Sequence, residues 1–360
     1  MARRAAASPA TVTRGAIPST VTPRAIPSTV TPRALSSASP LASRFAVIGA
    51  GRMAEAMIGG MMANGVQPSD CTHVFDVNQE RMDHYASRWP GVHGHTRAAE
   101  CVEGADVVLL AVKPQNMAEA LGEISCSLSA SALVVSIAAG CPISMFAESL
   151  PTSSICRAMP NTPAMIGQGM SVWTCTPACS AEQRSQSRRL LGCFGDELFM
   201  VDERYLDMAT ALVGTGPAYV YMFMEAMVDT GVHMGFPREV AERLVTKTVE
   251  GSTAYLKASQ AEGSSRGLVT ALRNDVGRRR SSRRALHQPA RVRAHSHDPR
   301  LAPVPCAQIT SPGGTTAAAM YSADRGGFRT TIADSIWAAY RRSLELGGSD
   351  SNVGPGRARA

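Results

Sequence analysis

The sequence predicts an α/β fold in which a doubly wound parallel sheet fills the first half of the chain and an all-helical region the second. Three observations carry this. Short apolar runs rich in β-branched residues alternate with helical stretches from Arg44 to about residue 205, as parallel strands covered on both faces do. The first of these runs leads directly into a glycine-rich turn and a helix. After about residue 205 the apolar residues recur every three or four positions, which is helical spacing.

Taken in order, residues 1–44 are rich in Ser, Thr, Ala, Pro and Arg, lack any acid and contain a tandem "AIPSTVTPR" at 16–24 and 25–33. That composition suits an organelle transit peptide, plastid first and mitochondrion second, or a disordered leader on a cytoplasmic protein. "RFAVIGAG" reads as a buried strand and "RMAEAMIGGMMANG" as a helix ended by Gly65. "CTHVFDVN", "GADVVLLAV", "ALVVSIAAG", "SSICRAMP", "GMSVWTCT" and "ELFMVDE" follow as strands. "LDMATALVGTGPAYVYMFMEAMVDTGVHMG" and "PREVAERLVTKTVEGSTAYLKAS" read as helices, with Pro237 in the first turn of the second. "FRTTIADSIWAAYRRSLELGG" closes as an amphipathic helix stopped by Gly347 and Gly348. The expected layout is a leader at 1–44, a dinucleotide-binding domain at 45–205, a helical domain at 206–347 and a disordered tail at 348–360.

Composition removes several function classes. An apolar share of 44% over 360 residues supports about two cored domains. No apolar run approaches the roughly 20 residues of a membrane span. The net charge of +7 is unevenly placed: residues 1–44 carry +6 and residues 276–308 carry +7, which leaves −6 for the body. An acidic body argues against nucleic acid as a partner. Nine scattered cysteines, with Cys175 and Cys179 lacking a matching pair, point to free thiols and to no metal site.

"VIGAGRMAEAM" places Gly49, Gly51 and Ala54 at GxGxxA spacing. Gly49 allows the tight turn, Gly51 lets backbone approach a pyrophosphate, and Ala54 lets the helix pack on the strand. The helix-start amides then face the phosphates. Asp76, at the end of the second strand, can hold a ribose; an acid there favours NADH, whereas Arg81 could pair with the extra phosphate of NADPH. Lys113-Pro114 ends a strand at the edge where ligands bind, although Lys113 taken alone reads rather as a solvated charge. Asn161, between two prolines in "RAMPNTPA", offers one amide on a rigid loop. "ITSPGGTTAAAM" puts Gly313 and Gly314 at a helix start, with open N–H groups for a carboxylate and threonine hydroxyls beside them.

The order "GAGRMAEAM", "AVKPQ", "RAMPNTPA", "GTGPAYVYMFMEAM", "GVHMGFPRE", "SPGGTT" and "GGFR" resembles the pyrroline-5-carboxylate reductase family over residues 45–275 and 309–347. The resemblance implies a Rossmann domain followed by a helical dimerisation domain, homodimers that gather into larger rings, NADPH or NADH as cofactor, and an imino acid substrate. It places the cofactor on Ile48, Gly49, Ala50, Gly51, Arg52 and Met53, on Asp76, and on Ala111, Val112, Lys113 and Pro114; from the residues themselves Asn78 and Asn161 are expected to join these cofactor contacts. The substrate falls on Ser311, Gly313, Gly314 and Thr315, with the Thr316 hydroxyl beside the imine nitrogen. Gln260 stands where the family carries an acid, with Glu262 the nearest substitute; Val213 replaces a serine and Thr215 retains the next one's place; an asparagine near the adenosine falls near Ala98. Hydride transfer to a cyclic imine needs the nicotinamide carbon about 3–3.5 Å from the imine carbon. A donor at nitrogen is needed too, but no nucleophile. A β-hydroxyacid-type dehydrogenase, with Lys247 as its catalytic lysine, is the alternative; it leaves "SPGGTT" unexplained.

Residues 276–308 interrupt the resemblance with eight arginines, the single Asp298 and no helical or strand period. Joining Asp275 to Ile309 restores family spacing. Every valine codon begins GT, as at Val276, and one glutamine codon is CAG, as at Gln308, so the segment reads as a retained intron. A chain that keeps it is either impaired in catalysis or tolerates a long loop, whose closure cost grows only logarithmically. Sequencing the mature transcript is expected to show these codons removed; a message that keeps them throughout refutes the intron.

Overall fold

The computed structural model describes residues 40–261 and 315–355, without the side chains at 259–261, 316, 317 and 320. One eight-stranded sheet is formed by β1 (Phe45–Ile48), β2 (Thr72–Phe75), β3 (His93–Gly94), β4 (Val107–Leu110), β5 (Leu133–Ser136), β6 (Ile155–Met159), β7 (Gly169–Cys175) and β8 (Gly195–Phe199), in the order β3-β2-β1-β4-β5-β6-β7-β8. Strands β1, β4 and β5 are buried along their whole length, as their unbroken apolar runs require. Helices α1 (Arg52–Ala63), α2 (Gln79–Arg88), α3 (Ala98–Val102), α4 (Met117–Ile124), α5 (Ile143–Ser149) and α6 (Ala181–Gly192) complete this half. Ile48, Leu110, Leu121, Val134 and Phe146 belong to a core shared by the sheet, α3, α4 and α5.

The first six strands are parallel, but β7 runs antiparallel to β6, and β8 is parallel to β7. The sequence suggests a parallel sheet throughout, and β7 departs from that expectation. Only a 3₁₀ turn, Thr162–Ile166, separates β6 from β7, and a parallel neighbour needs a crossover of a dozen or more residues. The ordered body also starts before Phe45. Leu41 and Ala42 are buried, with Leu41 N donating to Val66 O and Ala42 N to Gln67 Oε1.

The helical half comprises α7 (Arg204–Ala209), a π-helical turn at Thr210–Gly214, α8 (Gly216–His233), α9 (Arg238–Ala261), α10 (Thr315–Arg325) and α11 (Phe328–Leu346). The long helix read across "LDMATALVGTGPAYVYMFMEAM" is thus broken at the π turn. Pro237 lies just ahead of α9, where its carbonyl accepts from Ala241 N. Residues 349–355, read from sequence as tail, return along α11: Val353 O accepts from Arg341, and Gly354 lies against the Trp337 ring. Residues 1–39 and the insert at 276–308 lie outside the described residues. No described helix is long and apolar enough to cross a membrane.

One buried cation joins the two halves. Arg157, in the middle of β6, donates to Glu203 Oε1 and Asp207 Oδ1, each at 2.8 Å, and Ser343 of α11 donates to the same Asp207 oxygen at 2.9 Å. Glu203 also accepts from Ile143 N, the first residue of α5, at 2.8 Å. A charge this deep is stable only with partners on every side.

At the other edge of the sheet, the His73 and His93 rings stack at 4.7 Å, and His73 Nδ1 hydrogen-bonds His95 Nε2 at 2.8 Å. Burial disfavours the imidazolium, and Arg44, His93 and His95 add repulsion, so His73 titrates at about 4. The unfolded chain takes up this proton near the ordinary value of 6.5, and the folded chain refuses it until much lower pH. Stability from this group is therefore complete above that value and is lost as pH falls toward 4. Thermal melts should show a midpoint that falls over this window, and His73→Gln should flatten the fall.

Candidate functional site

The strand order reverses between β1 and β4, and their C-terminal ends form the crevice in which doubly wound sheets bind ligands. Gly49 sits at that point with φ +98°, and an added Cβ would lie 2.8 Å from both the carbonyl carbon and the oxygen of Ala111. The turn is tied on both sides: Gly49 N donates to Phe75 O, and Ala111 N to Ile48 O, each at 2.8 Å. Gly51 is the opposite case. A Cβ placed there meets nothing within 4 Å, so its bare backbone faces open space. Ala54, buried, lets α1 close onto the sheet.

No side chain caps α1 at Gly51. The first-turn amides of Arg52, Met53 and Ala54 have no carbonyl a turn earlier to bond, and they carry the positive end of the helix dipole. An open, uncapped helix start beside two glycines fits a pyrophosphate. Asp76 follows β2 with Oδ2 accepting from Ala50 N at 2.7 Å and Oδ1 from Asn78 N at 2.8 Å. Its carboxylate thus locks the loop. Asn78 turns its oxygen to Glu80 N at 2.9 Å as the cap of α2.

Ala111 and Val112 pack against the glycine turn. Lys113 is exposed, and Pro114 begins a 3₁₀ turn, Pro114–Asn116. Asn161, after β6, accepts from Met170 N through its side-chain oxygen at 2.9 Å, which leaves its NH2 group as a donor. The sheet therefore gathers Ile48 to Met53, Asp76, Asn78, Ala111 to Pro114 and Asn161 along one edge. Beside that edge Gly214 of the π turn lies against Met159. Thr215 turns its hydroxyl to Thr210 O at 3.0 Å, closing the π turn. Val213 joins a small cluster with Met159, Leu206 and Ala209. Ala98 is buried at the start of α3.

Thr315 opens α10 as an exposed residue. Ser311, Gly313, Gly314 and Glu262 lie outside the described residues, as do the side chains of Gln260 and Thr316. Lys247 is an exposed residue of α9 paired with Glu250 at 3.0 Å. Among the described residues no cluster of His, Cys, Asp or Glu could hold a metal.

A model of pyrroline-5-carboxylate reductase dimerisation matches residues 203–276 and 295–346, and one of NADP oxidoreductase, coenzyme F420-dependent, matches 44–140. The chain is 34% identical over 301 residues to a pyrroline-5-carboxylate reductase of Arabidopsis thaliana, covering 83% of this chain and 94% of that protein. It belongs to the pyrroline-5-carboxylate reductase family. A Pseudomonas aeruginosa relative of that name is 34% identical over 84% of this chain and 96% of its own length. Among solved structures, the pyrroline-5-carboxylate reductase of Coxiella burnetii aligns with a TM-score of 0.66 at 27% identity, over 86% of this chain and 99% of that one. The NADP-bound Plasmodium falciparum enzyme shares the fold, with a TM-score of 0.68 at 24% identity over 86% and 100% of the two chains.

Membership in this reductase family gives the helical half its role. The dimerisation match supports a homodimer, and α8, α9 and α10 expose Tyr221, Met222, Phe223, Leu244 and Tyr321 for a partner to cover. Sequence reading had passed over Glu55 and the Arg157 group. A lone arginine inside the apolar strand "ICRAM" was the available signal, since such a charge demands buried partners.

Two glycines two residues apart should respond oppositely. Gly49→Ala meets the Ala111 backbone and an unfavourable φ, and should cost on the order of 1–3 kcal/mol in thermal melts. Gly51→Val has room and should melt close to wild type, yet weaken dinucleotide binding about tenfold or more by fluorescence titration.

Proposed function

We propose that this chain reduces Δ1-pyrroline-5-carboxylate to L-proline with NADPH or NADH, the last step of proline biosynthesis. The observation that carries the reading is the open, uncapped start of α1 at the strand-order reversal, in a chain 34% identical to named pyrroline-5-carboxylate reductases. The Gly51 backbone and the amides of Arg52 and Met53 hold the pyrophosphate. Asp76 holds the adenosine ribose, with Asn78 fixing the turn behind it. Ala111 to Pro114 and the Asn161 amide line the edge toward the nicotinamide. Bound there, the dinucleotide supplies the hydride.

The substrate falls to the second half of the chain. The amides of Gly313 and Gly314, with Ser311 and Thr315, take its carboxylate, and Gln260 lies at the position of the family's acid. The Thr316 hydroxyl hydrogen-bonds the imine nitrogen, where electron density collects as the carbon is reduced, and the proton that completes the amine comes from solvent. No side chain has to form a covalent bond. The dimers assemble into a larger ring, and the protein acts free of membrane and nucleic acid. The Arg-rich, acid-free residues 1–44 direct it to the plastid, with mitochondrion or cytoplasm as the other destinations.

The dimerisation match leaves out residues 277–294 and resumes at 295, so it skips part of the segment 276–308 and takes in the rest. For any chain that retains the whole segment the second reading is an NAD(P)-binding protein impaired in turnover. Full-length protein and a variant joining Asp275 to Ile309 would be compared for imine-dependent NADPH oxidation. The joined form should be active, and Thr316→Val in it should lower kcat by about 10²-fold with little change in cofactor binding. A joined form that binds NADPH but never oxidises it in the presence of the imine refutes the reading.

A further inference from the structure

The ribose end of the cradle, on the reading proposed above, contains a second arrangement that bears on which cofactor is taken. Ala50 is held from both sides: its N–H donates to Asp76 Oδ2, and its carbonyl accepts from Arg81 Nε, each at 2.7 Å. A carboxylate and a guanidinium thus flank a single residue of the glycine loop. A phosphate on the ribose 2′ oxygen brings about 1.5–2 further negative charges, and beside Asp76 that charge needs a cation to offset it. The residue after Asp76 is Val77, apolar and 89% exposed, so none comes from there.

Arg81 is near but already engaged. Its Nη2 pairs with Glu55 Oε2 at 2.8 Å, and its guanidinium lies over the Tyr85 ring at 5.6 Å. Glu55 also binds His84 Nε2 at 2.9 Å and has Arg88 at 3.5 Å. Burial pushes the Glu55 carboxyl up, but the hydrogen bonds from Arg81 and His84 outweigh it and hold it below the usual range. Glu55 is therefore ionised at neutral pH, and its side chain is only 15% exposed. Turning Arg81 toward a phosphate would strip a largely buried carboxylate of its closest ion pair. Arg52, the first residue of α1, lies at the pyrophosphate end, which both cofactors share.

We propose that Glu55 and Asp76 act together to make this chain favour NADH over NADPH: Asp76 repels the 2′-phosphate, and Glu55 keeps Arg81 from compensating it.

The test is equilibrium binding of NADH and NADPH by fluorescence titration, without imine, on the full chain and on the form joining Asp275 to Ile309. Wild type should bind NADH about fivefold or more tighter than NADPH, and Glu55→Gln should tighten NADPH about tenfold while moving NADH less than about twofold. Asp76→Asn, which can still accept from Ala50 N, should narrow the preference as well, and it carries the test if Glu55→Gln fails to fold. Arg81→Gln in an otherwise wild-type chain should leave the NADH-to-NADPH ratio within about twofold, because the guanidinium is already committed. NADPH binding as tight as NADH in wild type, or selective loss of NADPH in Arg81→Gln, overturns the proposal. Binding of neither dinucleotide would instead overturn the cofactor site itself.

Discussion

The backbone contact between Gly49 and Ala111 governs the first half of this protein. With a Cβ-to-carbonyl approach of 2.8 Å, no side chain larger than hydrogen fits, and the ends of β1 and β4 can close only because the residue is glycine. That closure sets where the chain leaves β1, and so where α1 starts and which amides stay open. Asp76 reinforces it by fixing the N–H of Ala50, the next residue along. The open start of α1 follows from one short contact, flanked by the buried strands β1 and β4.

The second half is positioned by charge rather than by shape. Arg157 draws Glu203 and Asp207 of the α7 region onto β6, and Ser343 brings in α11. Non-directional apolar packing would let these helices slide over the sheet. A guanidinium with two fixed acceptors at 2.8 Å does not. The loop bearing Asn161 begins three residues beyond Arg157, so the clamp and that loop belong to one strand. This group ties α7 and α11 to the sheet.

How much of this was legible in the sequence depends on what kind of constraint each feature obeys. The glycine loop could be read because Gly49 and Gly51 are demanded by backbone geometry, which residue type reports directly. Buried parallel strands could be read from their unbroken apolar runs. Antiparallel β7 was missed, although the short "PNTPAMIGQ" connection leaves no room for a crossover helix. The Arg157 partners lie 46 and 50 residues away in sequence, and Ser343 lies 136 residues from Asp207. No local pattern predicts such pairings. The engagement of Arg81 by Glu55 was hidden for the same reason, so a residue that reads as a free cation is a committed one.

Among the described residues, α8 and α9 bury only the small cluster of Val228, Ala241 and Val245 between them, while Tyr221, Met222, Phe223 and Leu244 are exposed. The dimerisation match supports a second copy as what covers such a surface, and in a two-fold pair each residue is used twice. In a two-fold homodimer every substitution on such a face is counted in duplicate, and a change harmless in one chain must also be compatible with its rotated copy. Self-complementarity, more than catalysis, sets how far these helices can drift.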